Sequence, residues 1–285
     1  MWSLYPKVLV GRKPVLLRAG STVPLIEAQI DNVCPDAAHL RAYRVICGAA
    51  QDNWLPIAYP HVLASGLHLA VLSHETFPVK LLGLVHVRNR IRQYRGLPAD
   101  QPGKLSVAIE GHEDTDRGQE FTLRTQWHDP DGELLWEEEC VFLSRRKRSG
   151  ASSEVGGREK ALADAASRPA GLRTTSFRAP AGLGRSYGLL GGDLNPIHLA
   201  DLSAKMFGFK SAIAHGMWSL ARTASDLDSE LLQIRCELNV AFKLPVFLPS
   251  WLVLEQWGQN DGIDFTLRDG QGQRPHLSGS LRPLQ

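Results

Sequence analysis

The clearest hydrophobic alternation in the chain runs over residues 234–244. Ile234, Cys236, Leu238, Val240, Phe242 and Leu244 fall on one side, and Arg235, Glu237, Asn239 and Lys243 on the other. A period of two is that of a half-buried strand. Just before it, residues 215–227 are mostly apolar and predict a helix. Residues 251–257, 264–268 and 277–282 supply further short strands. The same succession occurs earlier in the chain. Residues 61–72 are nearly all apolar, which predicts a helix buried on all sides. Residues 85–94 and 104–110 follow as strands. Residues 120–128 and 133–144 predict a hairpin around Asp129-Pro130-Asp131-Gly132, a strong turn sequence. Phe121-Thr122-Leu123-Arg124 recurs as Phe265-Thr266-Leu267-Arg268, which ties the two helix-then-strands sets together.

Composition divides the chain between these sets. After Ser144 come Arg145-Arg146-Lys147-Arg148, then Ser- and Gly-rich sequence and an Ala-rich stretch up to Leu172. That is the composition of an exposed linker. The predicted organisation is therefore a first half over residues 1–145, a linker over 146–172 and a second half over 173–285. Four basic residues without interleaved aromatics read as a solvated segment, so no nucleic-acid partner is expected. A net charge of +2 over 285 residues names no partner, and 43% apolar content is ordinary for a globular chain. No apolar stretch reaches the roughly 18 residues of a membrane span, and no signal peptide is read at the start. The four cysteines, Cys34, Cys47, Cys140 and Cys236, are too scattered for a disulfide framework. They read as small buried residues in a reducing cytoplasm. The ten histidines show no ligand spacing, so no metal is predicted.

Chemistry concentrates in Gly191-Gly192-Asp193-Leu194-Asn195-Pro196-Ile197-His198. One carboxylate, Asp193, stands five residues before one imidazole, His198. The Asn195-Pro196 turn between them can aim both side chains at one water. Tyr187 precedes the pair. Leu199, Leu202, Met206 and Phe209 follow at helical spacing and read as a packing stripe. His215-Gly216-Met217 comes next. Singly, Gly-Asp and Asn-Pro mark ordinary turns. Their joint occurrence in this order resembles the MaoC-like, or hydratase 2, family over residues 187–220.

The resemblance implies an α+β double hotdog: two antiparallel sheets, each wrapped around a central apolar helix, paired into one continuous sheet. It implies a hydro-lyase, interconverting 2-enoyl thioesters of coenzyme A or acyl carrier protein with (R)-3-hydroxyacyl thioesters. Asp193 and His198 would be catalytic. Asn195, Gly216 and Tyr187 would bind substrate, with the Gly216 N–H at a helix start favouring the thioester oxygen. His215 reads as structural. No cofactor is implied, and a homodimer of such chains is compatible with the pattern. The first half offers Gln51-Asp52-Asn53-Trp54-Leu55-Pro56 and Tyr59-Pro60-His61-Val62 where the second carries its motif, so one active site per chain is expected. The first half would instead receive the acyl tail, beside Ala64, Ser65 and Gly66.

Two alternatives stand beside this. A hotdog thioesterase usually carries an acid on or near the central helix, and residues 215–225 contain none. A non-catalytic acyl-thioester-binding subunit of a heteromeric dehydratase would not need both Asp193 and His198.

Overall fold

The computed structural model describes residues 13–18, 20–146, 169–227, 230–259 and 261–284. Most of the proposed linker, including Lys147 and Arg148, lies outside the described residues. The last strand before it ends at Arg145 and the next begins at Arg173.

Among the described residues, ten strands form a single antiparallel sheet. In chain order the elements are β1 (Glu27–Val33), α1 (Ala37–Cys47), α2 (Tyr59–Ser73), β2 (Leu84–Gln93), β3 (Gly103–Thr115), β4 (Gly118–His128) and β5 (Leu134–Arg145). The second half has β6 (Arg173–Ala179), α3 (Leu183–Gly191), α4 (Pro196–Leu199), α5 (Asp201–Met206), α6 (Gly216–Ala224), β7 (Cys236–Phe242), β8 (Ser250–Gln259), β9 (Gly262–Asp269) and β10 (Pro275–Pro283). The spatial order is β1-β3-β4-β5-β2-β7-β10-β9-β8-β6. Read outward from the β2·β7 seam, each half has the same order, so β1 to β5 correspond one by one to β6 to β10. The Phe-Thr-Leu-Arg repeat falls on β4 and β9, which are equivalent strands. The fold is an α+β double hotdog, as the sequence resemblance implied.

Local chemistry explains the elements. The β4–β5 turn closes as predicted: Asp129 Oδ1 accepts from the N–H groups of Asp131 and Glu133 at 3.0 and 2.9 Å. The alternating face of β7 buries Cys236, Leu238 and Val240, while Ile234 and Leu244 lie beyond the strand ends and are exposed. Helices cover one face of the sheet, where Trp127, Trp136, Trp218, Tyr43, Tyr59, Phe121 and Phe265 are all buried. The other face carries cross-strand ion pairs, among them Arg92–Glu237 across the seam at 2.7 Å and Arg124–Glu137 at 2.7 Å. A groove of about 660 Å³ crosses this outer face, lined by Arg88, Arg90, Glu139 and Asn239. Among the described residues no helix is long and apolar enough to cross a membrane.

Several expectations need correction. Helix α2 is not uniformly buried: Leu63, Ser65, Gly66, Leu67 and Leu69 are only half covered. A sheet wraps only one side of its helix, and β1, β3 and β4 are the strands that α2 packs against. Leu202 and Met206 do not pack, being 77% and 81% exposed. The six-residue α5 is too short to lay a stripe onto the core. Cys34 is exposed, whereas the other three cysteines are buried and free.

Candidate active site

Helix α3 and the loop after it place the motif. Helix α3 ends at Gly192, whose φ of 72° is a left-handed cap that glycine adopts without strain. The next residue is Asp193. Its Oδ1 accepts from the Asn195 N–H at 3.0 Å, and Asn195 Oδ1 in turn accepts from the Ile197 N–H at 3.4 Å. Asn195 therefore caps α4, with Pro196 in its first turn where no N–H is needed. His198 lies on that turn. A Cβ on Gly184 would collide with the His198 carbonyl, and one on Gly188 would lie 2.7 Å from the Asp193 carbonyl. The glycines give α3 a bare face on which the motif rests.

The ring nitrogens can be assigned from their partners. His198 Nδ1 lies 2.8 Å from the Ile213 carbonyl, which can only accept, so Nδ1 carries the proton. Nε2 of a neutral His198 is then a bare acceptor, 3.9 Å from Asp193 Oδ2. His215 Nε2 donates to the Asp193 carbonyl at 3.0 Å. Its ring stacks on His198 at 3.7 Å between centroids, and the Tyr187 ring packs against the same His215 ring at 5.1 Å. His215 thus holds the Asp193 turn and supports the His198 ring. Tyr187 sits on α3, buried.

Electrostatics keep the pair in complementary states. Desolvation pushes the Asp193 carboxyl up, but His215 and His198 outweigh it and the net shift is down, toward the anion. Desolvation holds His198 below its ordinary value, partly offset by Asp193. Desolvation and the neighbouring His198 push His215 down to about 3. Asp193 keeps 55% of its side chain exposed, so substrate and water can reach it.

Gly216 is the first residue of α6, and the cap side chain before it, His215, makes no hydrogen bond to the helix end. The cap side chain therefore satisfies none of the first-turn N–H groups. A Cβ on Gly216 would approach Phe242 Cε1 to 3.2 Å.

Among the described residues, two clusters bring three potential metal-ligand atoms within 4.8 Å: Asp193 with His198 and His215, and His61 with His68 and Glu138. Neither is visible as a spacing in the sequence, because the fold assembles each from separate elements. In both, ring nitrogens are already engaged by protein groups, and in the first the imidazoles stack rather than converge.

A family profile described as MaoC like domain matches residues 174–278. The C-terminal half is a MaoC-like domain. Over nearly its full length the chain is 28% identical to 3-hydroxyacyl-thioester dehydratase X of Mycobacterium tuberculosis, covering 98% of this chain and 96% of that protein. The crystal structure of HtdX from the same organism superposes with a TM-score of 0.76 at 26% identity, over 90% of this chain and 100% of that one. A MaoC-like dehydratase from Phytophthora capsici shares the fold at a TM-score of 0.68 and 16% identity, over 94% and 96% of the two chains. The matched segment holds Asp193, Asn195, His198 and Gly216, so the MaoC-like domain contains the whole motif.

Proposed function

We propose that this protein is a hydro-lyase of acyl thioesters. It adds water to a 2-enoyl thioester of coenzyme A or acyl carrier protein, giving the (R)-3-hydroxyacyl thioester, and runs the reverse dehydration. The observation that carries the reading is the 3.9 Å gap between Asp193 Oδ2 and His198 Nε2. That gap is too long for a direct hydrogen bond and suits one water held by both groups.

In hydration the water oxygen bonds to Cβ as the C=C π bond breaks. One water proton passes to the Asp193–His198 pair, and a proton is delivered to Cα on the same face. In dehydration the pair removes the Cα proton and returns one to the departing hydroxyl. In the dehydration direction His198, neutral with Nε2 bare, takes the Cα proton, and that proton passes through Asp193 to the departing hydroxyl; in hydration Asp193 takes the water proton and it passes through His198 to Cα. The Gly216 N–H at the start of α6 stabilises the enolate oxygen that develops in either direction. Asn195 fixes the loop, and Tyr187 shapes the pocket wall behind His215. The four unpaired cysteines agree with a reducing, cytoplasmic setting.

The test is hydration of a panel of crotonyl, octenoyl and longer enoyl-CoA substrates, followed by loss of the enoyl thioester absorbance. Asp193→Asn and His198→Gln are each expected to lower turnover by about 10²- to 10⁴-fold while the fold survives. Near-normal turnover in either folded variant would overturn the assignment.

A further inference from the structure

The N-terminal half lacks the motif but is not chemically blank. His61, on the first turn of α2, has its Nδ1 2.8 Å from Glu138 Oε2 on β5. Glu138 is 0% exposed. Asn89 on β2 donates to Glu138 Oε1 at 2.6 Å. Burial pushes the Glu138 carboxyl up, but His61, His68 and Asn89 bring it down to about 2. An anion buried in this way persists only when its partners are good. The Nδ1–H of His61 is committed to it. Nε2 is the nitrogen left over, on a side chain that keeps 15% of its surface open.

Contacts on two sides place this imidazole. Tyr59, on the same turn of α2, meets His39 Nδ1 at 2.9 Å, and His39 Nε2 meets the Leu190 carbonyl at 3.0 Å. Val62, next to His61, lies 3.9 Å from where a Cβ on Gly191 would stand. Gly191 is two residues before Asp193. On the other side Asn89 Nδ2 lies 3.5 Å from Met217 Sδ, beside Gly216. The first turn of α2 is thus bracketed by the Asp193 turn and by the start of α6. A charge on His61 would also reach Asp193 and His215, lowering both.

We propose that His61, held by Glu138 as an imidazolium–carboxylate pair, is a substrate-contacting residue of the active site, its Nε2–H donating to the carbonyl oxygen of the acyl thioester. This deepens the hydro-lyase reading and rests on it. Each chain then has one site built by both halves. The N-terminal half supplies an oriented imidazole as well as room for a tail.

Two substitutions separate contact from scaffolding. Asparagine at 61 reproduces the Nδ1 donor and keeps Glu138 satisfied, but removes the group at Nε2. Glutamine places its amide near Nε2 and gives up the bond to Glu138. A substrate contact predicts that His61→Asn, once shown to be folded, loses roughly 10- to 100-fold in kcat/KM on crotonyl-CoA, the range for a hydrogen bond to a polar or charged group. His61→Gln then retains more activity than His61→Asn. The reverse order, with His61→Asn fully active and His61→Gln destabilised, makes His61 a structural partner of Glu138 only and overturns the proposal. Titration calorimetry with butyryl-CoA, which cannot turn over, gives a second readout. His61→Asn should weaken binding about tenfold, and unchanged affinity together with unchanged kcat/KM refutes the contact. If the wild type hydrates no enoyl thioester but binding still depends on His61, the hydro-lyase reading fails and the contact stands.

Discussion

The protonation states of three side chains determine how this site answers pH. Asp193 is biased toward the anion, and His198 and His215 toward neutral imidazole. Free imidazole titrates near 6.5. Because the folded values are depressed, protons that the native state refuses are taken up by the unfolded chain. The histidine contribution to stability is complete above about pH 6.5 and is lost as pH falls from there through about 3, the value for His215. The kcat/KM profile is expected to be flat through neutrality, with its acid limb below pH 6.5 as His198 gains a proton. Asp193→Asn removes the influence that raises His198, so the limb of its residual activity should move further to acid. A limb at or above the free imidazole value would contradict the assigned states. At this scale the candidate residues Asp193, Asn195, His198 and Gly216 could be named in the sequence through the resemblance their order carries, and the structure places Asp193, Asn195 and His198 on one loop and turn. The stacking of His215 beneath His198 could not be read. Seventeen positions separate them in sequence, and only the return of the chain through Ile213 and Ala214 onto Val246 brings the rings together.

Helix α3 shows why one element escaped a reading by propensity. Gly184, Gly188, Gly191 and Gly192 each disfavour a helix, so the segment around Tyr187 looks like a loop. Tertiary contact reverses the preference, since the glycine face lets the His198 and Asp193 carbonyls approach closer than any side chain would allow. On an isolated helix, Gly→Ala would stabilise by about 0.5–1 kcal/mol. Here Gly184→Ala is expected to displace the loop, leave the helical circular dichroism intact and lower turnover at least tenfold. Catalysis tolerates little misplacement, and about 1 Å can cost on the order of 10². Gly188→Ala should act in the same direction. A folded, fully active Gly184→Ala protein would show that the loop is not held this way. The opposite error occurred at α5, where periodic Leu202 and Met206 looked like core yet face solvent. Periodicity reports a stripe, not whether anything lies opposite it.

Across the whole molecule the two halves share a topology but divide the labour. The repeat of Phe-Thr-Leu-Arg and the matching order of elements made the duplication visible, because β4 and β9 keep the same inward Phe and Leu. The sharing of one site between halves was hidden, since His61, Asn89 and Glu138 carry no local motif. If the tail of the substrate runs along α2, Ser65→Leu or Gly66→Leu should depress activity on long enoyl thioesters far more than on crotonyl-CoA, through overpacking. Equal losses on short and long substrates in folded variants would place the tail elsewhere. The β2·β7 seam has one more consequence. Trp218 of α6 donates to the Ile46 carbonyl of α1, so the halves interlock in helix as well as in sheet. In effect the chain is a heterodimer whose stoichiometry is set by a peptide bond. Two free subunits would have to meet at cellular concentration and prefer each other to themselves. Tethered, each half meets its partner at an effective concentration on the order of millimolar, so dilution that would dissolve a pair of separate subunits leaves this site assembled.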